Sequence, residues 1–222
     1  KILKKDYKNT YLAYNPSNIS KFKKRNNANR RIKKIIFAGN VGKAQALEKL
    51  INFGILIKKE KLPLQFEIIG EGSNKKNLQF IIKNKQLNKI IIFKPFMKPK
   101  KLEKYILNSD GLLVSLGKGS ALSVTIPAKF QTYIAYGKPI FVFSDNIVAE
   151  IIKKYNIGFI LNNKNPKKNI YQFLKMNINN LHQIKKNSEY LYKNFFEIKK
   201  NTKVLEEILT TKKNEWNKKW KY

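Results

Sequence analysis

The 222-residue sequence contains no cysteine and only one histidine, His182. Without cysteine the chain has neither a disulfide framework nor a thiolate metal site, and a single histidine excludes a His-rich metal site. No apolar run approaches the ~20 residues that a membrane-spanning helix needs. Hydrophobic residues still make up 42% of the chain, which is ample for the core of one large domain.

Acidic residues are scarce, and the formal net charge is +33. Almost all of the cations are lysine, because the only arginines are Arg25, Arg30 and Arg31. Nucleic-acid-binding proteins usually include arginine, whose planar guanidinium binds phosphate and guanine through two hydrogen bonds. We therefore interpret the excess charge chiefly as solvated lysine faces. Attraction to an anionic membrane surface is the next alternative, and nucleic-acid binding through charge alone is a third.

Short apolar runs alternate with helical patterns along most of the chain. Strands are predicted at 32–38, 64–69, 90–93, 111–115, 140–143 and 158–161. Helices are predicted at 44–58, 76–85, 99–109 and 147–155, from Pro127 to the Gly137 stop, and after Pro166 at 170–180, 181–195 and 202–211. Strands separated by helices indicate βαβ units and a parallel sheet with helices on both faces, that is, an α/β, Rossmann-like fold with added C-terminal helices.

In such a sheet, ligands bind outside the carboxyl ends of the strands. The first loop at such an end contains Gly39, Asn40, Gly42 and Lys43. Its backbone N–H groups can approach an anion closely, and Lys43 can supply charge. A tight turn without a ligand explains the same residues equally well. The spacing is neither that of a dinucleotide-binding glycine motif nor that of a Walker A loop.

Three further loops fall at predicted strand ends. Gly70 and Gly72 allow either a close approach to a nucleotide or merely a sharp turn. The loop that contains Met97 offers an apolar shelf for a base, although a turn at the edge of the core explains its aromatic residues better. The glycine-rich segment 116–123 is either a loop that closes on a ligand or a loop without function.

The segment from Pro127 to Pro139 combines a short helix with a basic first turn. Proline suits the start of a helix, and Gly137 suits its end. Lys129 lies in the first turn, where free N–H groups attract phosphate.

Taken in order, these segments resemble the C-terminal, donor-binding domain of the retaining glycosyltransferase family four, of GT-B fold and capsule/O-antigen type. The matching segments are 37–47, 69–72, 109–116, 127–139 and Gly158. The resemblance implies that the chain binds a nucleotide-sugar donor, with a UDP-sugar favoured over a GDP-sugar, and that it needs no metal or other cofactor. The donor-binding residues that it implies are Gly39, Asn40, Gly42, Lys43, Gln45, Gly70, Gly72, Met97, Lys129, Gln131 and Thr132.

The sequence departs from the family pattern at two places. Val124 and Thr132 stand where the wider family carries two glutamates, so Thr132, Gln131 or the main chain would have to bind the ribose. Ile147 stands where an acidic residue usually follows the fifth strand, with Glu150 one turn later. These changes leave the donor sugar and the catalytic residues unassigned.

The resemblance also implies a division of the chain. Residues 1–30 would be a remnant of an N-terminal domain and a linker, 31–196 the donor-binding domain, and 197–222 a crossing helix and tail. The chain starts at Lys1 without methionine or a signal-peptide pattern, so we expect a fragment that does not transfer sugar alone.

The whole enzyme would transfer a hexosyl or amino-sugar residue to a glycan or lipid-linked acceptor held by the missing domain, in polysaccharide biosynthesis at the bacterial cell surface. We expect it in the cytoplasm, with peripheral membrane contact and no nucleic-acid partner. A nucleotide-sugar epimerase of the same fold and a non-catalytic interaction domain are the alternatives.

Overall fold

The computed structural model describes residues 32–117, 125–143, 147–162, 164–199, 202–203, 205–207 and 209–210. The expectations that lie outside these residues concern the interdomain remnant at 1–30, the glycine-rich segment beyond Gly117, the departure at Val124, and the tail from 211. Within the described residues, no helix is both long and apolar enough to cross a membrane.

Six parallel strands form one sheet in the order β3-β2-β1-β4-β5-β6. The strands are β1 (Lys33–Ala38), β2 (Leu64–Ile69), β3 (Ile91–Lys94), β4 (Gly111–Val114), β5 (Ile140–Phe143) and β6 (Gly158–Leu161). The order reverses between β1 and β4, which places the switch point of the doubly wound sheet beside the end of β1. The predicted fold class, a Rossmann-like α/β sheet followed by helices, is confirmed.

Helices cover both faces of the sheet. They are α1 (Leu50–Lys59), α2 (Lys75–Asn84), α3 (Pro99–Leu107), α4 (Ala128–Ile134), α5 (Ile147–Tyr155), α6 (Lys167–Leu174) and α7 (Ile178–Leu191), which continues into a π-helical turn, Tyr192–Phe196. One core cluster packs α1, α2 and α6 on one face, and a second packs α3, α4, α5 and α7 on the other. Because β4 and β5 are buried along their whole length, their sequences are continuous apolar runs rather than alternating ones.

Several predicted helices have different bounds in the structure, and two of these differences have a clear local cause. The predicted helix at 44–58 begins as two 3-10 helices, Lys43–Gln45 and Leu47–Lys49, because Ala46 between them has a left-handed backbone with φ +46°. The predicted helix at 170–180 ends at Leu174 instead. Asn177 then caps α7 by accepting a hydrogen bond from the N–H of Asn180, and this cap sets the start of the next helix.

A buried carboxylate ties the first three strands to α3. Glu67 on β2 is only 1% exposed and accepts a hydrogen bond of 2.6 Å from the Tyr105 hydroxyl. Lys34 on β1 and Lys94 on β3 place their ammonium groups 3.5 and 3.7 Å from its other oxygen. A buried charge needs such partners, so we assign Glu67 to the scaffold rather than to chemistry.

Candidate functional site

Two glycine loops pack against each other at the carboxyl edge of the sheet, beside the switch point. The N–H of Gly39, just after β1, donates to the Ile69 carbonyl at 2.9 Å, and the N–H of Val41 donates to the Glu71 carbonyl at 2.7 Å. Gly70 has φ +154°, and a Cβ there would lie 1.9 Å from the Gly39 carbonyl oxygen. Gly72, at φ +157°, approaches the Val41 carbonyl in the same way. Close packing of the loops therefore accounts for both of these glycines.

The turn after Gly39 is closed by a side chain. Gln45 Oε1 accepts the N–H of Gly42 at 3.0 Å. The Gln45 carbonyl in turn accepts the Ser115 hydroxyl, which joins this turn to the end of β4. Asn40 and Lys43 lie exposed on either side of Gly42. An anion that bound the Gly42 amide would take the place of the Gln45 side-chain oxygen.

Lys129, in the first turn of α4, reaches the same loop from the other half of the sheet. Its Nζ lies 3.5 Å from the centroid of the Phe37 ring, a cation–π contact at the end of β1. A Cβ on Gly39 would lie only 2.6 Å from this Nζ. Residue 39 therefore has to be glycine for the ammonium group to occupy this position.

The environment of Lys129 disfavours its charge. Burial lowers the pKa of its ammonium group to about 7, and among the described residues no carboxylate opposes this shift. The charge of the group at neutral pH is consequently sensitive to what lies beside it. An anion placed at the Gly39 loop would restore its full charge, because a nearby opposite charge raises the pKa of a lysine.

A tyrosine one turn further along α4 holds this helix in place. The Tyr133 hydroxyl accepts the N–H of Ala38 at 3.0 Å and contacts the Ala38 carbonyl at 3.5 Å. Burial raises the pKa of Tyr133 well above its usual value, so the phenol stays protonated. The sequence alone predicts no role for Tyr133. The spacing of four between Lys129 and Tyr133 was the available signal, because it puts both on one face of a helix.

Removing this hydroxyl should loosen α4 from β1. We expect Tyr133→Phe to lower the free energy of unfolding by about 1–3 kcal/mol, because the Ala38 N–H loses its partner in a buried place. Urea unfolding measures the loss. The matched control is Tyr190→Phe, at a tyrosine that is 60% exposed, where almost no change is expected. Equal effects of the two variants would contradict the positioning role of Tyr133.

The structure does not gather every predicted residue at the loop. Met97 is 7% exposed and packs in the second core cluster, whereas Phe96 beside it is 72% exposed at the surface. Gln131 is buried and donates from Nε2 to the Ile126 carbonyl at 3.3 Å, while Thr132 is half-buried. The side chains of Met97 and Gln131 are therefore accounted for by packing and loop closure. Phe96, and not Met97, is the residue of this loop that exposes a large apolar side chain, and the sequence did not distinguish the two.

Helix α4 has only seven residues, so we expect the Lys129 side chain, rather than the helix dipole, to provide most of the attraction for an anion.

The other titratable candidates lie away from the Gly39 loop. Asp110 lies just before β4, at the opposite edge of the sheet, where its Oδ2 accepts the Lys34 N–H at 2.9 Å. His182 is exposed on α7. Among the described residues there is no group of three or more acidic or histidine side chains that could hold a metal ion.

The sheet order and the loops at its switch point define a doubly wound α/β domain of the class that binds ligands at this edge. The chain belongs to the glycosyl transferases group 1 family, whose model matches residues 18–191. No curated protein sequence matches it.

Solved structures share the fold. TarM of S. aureus, determined in complex with fondaparinux, alpha-GlcNAc-glycerol and UDP, is 18% identical with a TM-score of 0.68, over 92% of this chain and 40% of TarM. HepE of Anabaena, in complex with UDP and glucose, is 12% identical with a TM-score of 0.64, over 81% of this chain and 48% of HepE. The C-terminal domain of LpcC, a glycosyl transferase group 1 protein of Francisella tularensis, is 17% identical with a TM-score of 0.59, over 75% of this chain and 87% of that domain. The chain thus spans less than half of the TarM and HepE chains.

Proposed function

We propose that this chain is the nucleotide-sugar-binding half of a retaining glycosyltransferase that transfers a hexosyl or amino-sugar residue. The observation that carries the proposal is the convergence of the Lys129 ammonium group on the Gly39 loop. A half-buried cation with a lowered pKa, next to a loop of glycine amides, is suited to the diphosphate of a donor. Membership of the glycosyl transferases group 1 family supports the same function.

The roles of the residues follow from their positions. The diphosphate would lie over the loop from Gly39 to Lys43 and would displace the Gln45 side-chain oxygen from the Gly42 amide. Lys129, and Lys43 from the solvent side, would offset the negative charge that develops on the leaving diphosphate. We propose UDP rather than GDP as the donor nucleotide, in agreement with the UDP complexes of TarM and HepE. Charge compensation by lysines and amides is a mechanism that requires no metal.

The acceptor side is a proposal that reaches beyond this chain. In a two-domain enzyme the acceptor would be a glycan or a lipid-linked glycan, held by a partner domain across the cleft from the Gly39 loop. The TarM structure contains fondaparinux and alpha-GlcNAc-glycerol and the HepE structure contains glucose, which is the acceptor and sugar chemistry that we propose for this enzyme. We infer that the enzyme works in the cytoplasm, in peripheral contact with the membrane, on polysaccharides that are destined for the cell surface.

Removal of the Lys129 ammonium group tests the donor site. We expect Lys129→Ala to weaken binding of a UDP-sugar by about 1–3 kcal/mol, the scale of a lost charge-assisted hydrogen bond. Calorimetric titration with UDP-sugar and UDP measures this. The control is Lys153→Ala, which removes an exposed lysine on α5 and should leave affinity unchanged.

Two results would contradict the proposed function. Unchanged affinity in Lys129→Ala would remove Lys129 from the site. Saturable binding of a nucleic-acid duplex, with no binding of UDP or GDP, would instead favour a role based on the net charge of +33.

A further inference from the structure

A second cationic feature lies at the opposite edge of the sheet from the Gly39 loop. The C-terminal ends of α1 and α2 lie side by side there, and a surface cavity of about 490 Å³ opens between them and the start of β3. We call it the lysine cavity. Its rim carries the exposed side chains of Lys58, Lys61, Lys83 and Lys89.

The floor of the lysine cavity is apolar, formed by Ile57, Leu62 and Ile90. Gln86 and Asn88 add side-chain amides. Among the lining residues, all of which lie in the described part of the chain, none is acidic. The cavity thus combines four cations with hydrogen-bond donors and contains no built-in counter-ion.

Helix C-termini attract cations, so part of this charge has a purely structural reason. Each helix end is equivalent to about half a negative charge, and two ends together offset about one of the four lysines. Lys58 provides that compensation, since its Nζ lies 3.3 Å from the Lys85 carbonyl and 3.1 Å from Gln86 Oε1, at the end of α2. An excess of about three positive charges remains on Lys61, Lys83 and Lys89.

Both helices are followed at the lysine cavity by a residue with a left-handed backbone. Lys61 and Gln86 follow the ends of α1 and α2 with φ +50° and +53°. Glycine is the residue with the least strain at such a position after a helix. Instead, both helices carry there a long polar side chain that lines the lysine cavity.

We propose that the lysine cavity is a binding site for a phosphate-bearing polyanion, separate from the donor site. Several lysines around a small opening suit a group with clustered negative oxygens, such as a chain of phosphates or a phospholipid headgroup. The proposal does not depend on the donor site, because the two lie at opposite edges of the sheet.

The experiment removes two lysines of the cavity, and a control variant loses the same number of positive charges elsewhere on the surface. Tripolyphosphate is titrated into the whole chain and into Lys83→Gln/Lys89→Gln, with affinity measured by calorimetry and location by amide NMR shifts. The control, Lys100→Gln/Lys101→Gln, removes two exposed lysines at the start of α3. We expect shifts at Gln86–Ile90, and an affinity about tenfold lower in the first variant with little change in the second.

A second arm identifies the source of the phosphate. The same proteins are sedimented with phosphatidylcholine vesicles that contain phosphatidylglycerol. If vesicle binding falls with Lys83→Gln/Lys89→Gln and not with the control, the cavity takes a lipid headgroup. If only tripolyphosphate binding falls, it takes a soluble phosphate. Equal losses in both variants, or shifts confined to residues 39–43, would overturn the proposal, whatever the donor site does.

Discussion

The affinity for UDP should fall as the pH rises above 7, by about tenfold per pH unit up to pH 9. Burial lowers the pKa of Lys129 to about 7 in the unliganded chain, and a bound diphosphate would raise it again. Between those two pKa values, binding has to take up a proton, so each unit of pH weakens it by a factor of ten when the coupling is complete. Calorimetry in buffers of different ionisation enthalpy would detect an uptake of about one proton.

The control for this prediction is Lys129→Met, which should bind weakly and lose the pH dependence. The same variant should be more stable than the parent chain at neutral pH. The pKa of Lys129 is about 7 in the folded chain and 10.5 as its ordinary value, so the unfolded chain binds the proton more tightly. Lys129 therefore destabilises the folded parent chain. This effect has its full size below pH 7, falls as the pH rises, and disappears above pH 10.5. A steep pH dependence that survives in Lys129→Met would assign the titration to another group.

Gly70→Ala should destabilise the carboxyl edge of the sheet, where the two glycine loops pack together. A methyl group at this position would lie 1.9 Å from the Gly39 carbonyl oxygen, and the backbone angle φ +154° is strained for any residue with a side chain. Neither loop can retreat without breaking the hydrogen bonds that join them. We expect a loss of roughly 3–5 kcal/mol in the free energy of unfolding, measured by urea denaturation.

Alanine variants of two other glycines provide reference values for this loss of stability. Gly158→Ala, on β6, would place a methyl group equally close, 1.9 Å, to the Ile140 carbonyl oxygen. It should therefore lower the free energy of unfolding by a similar amount. Gly117→Ala has its nearest atom at 3.3 Å and should cost less than about 1 kcal/mol. If Gly70→Ala resembled Gly117→Ala rather than Gly158→Ala, the two loops would not be packed as described.

The comparison of these glycines shows where sequence reasoning reached its limit. Gly39, Gly70 and Gly72 stand out in the sequence as turn residues at strand ends, and the structure places all three there. The sequence could not distinguish close backbone packing from a ligand cradle, because both require the same absence of a side chain. In the structure Gly70 and Gly72 pack closely against the Gly39 loop, and Gly39 lies against the Lys129 ammonium group. A role of these three glycines in donor binding stays a prediction.

Side-chain roles were the least predictable part of the site. Met97 and Gln131 had the right place in the chain for a ligand contact, but their side chains are buried. The use of Gln45 as a cap for the Gly42 amide depends on the local turn from Gly42 to Gln45, which is followed by the left-handed Ala46. No propensity favours alanine in that conformation.

The sequence by itself determined the alternation of strands and helices, the parallel sheet and the glycine loops at the carboxyl ends of the strands. These features follow from apolar periodicity and from glycine and proline positions, which are local properties of the chain. Only the tertiary structure decided that Lys129 lies on Phe37 beside Gly39, and that Tyr133 holds it there through Ala38. Those contacts join opposite halves of the sheet. The desolvation that lowers the pKa of Lys129 arises only when the two halves pack together.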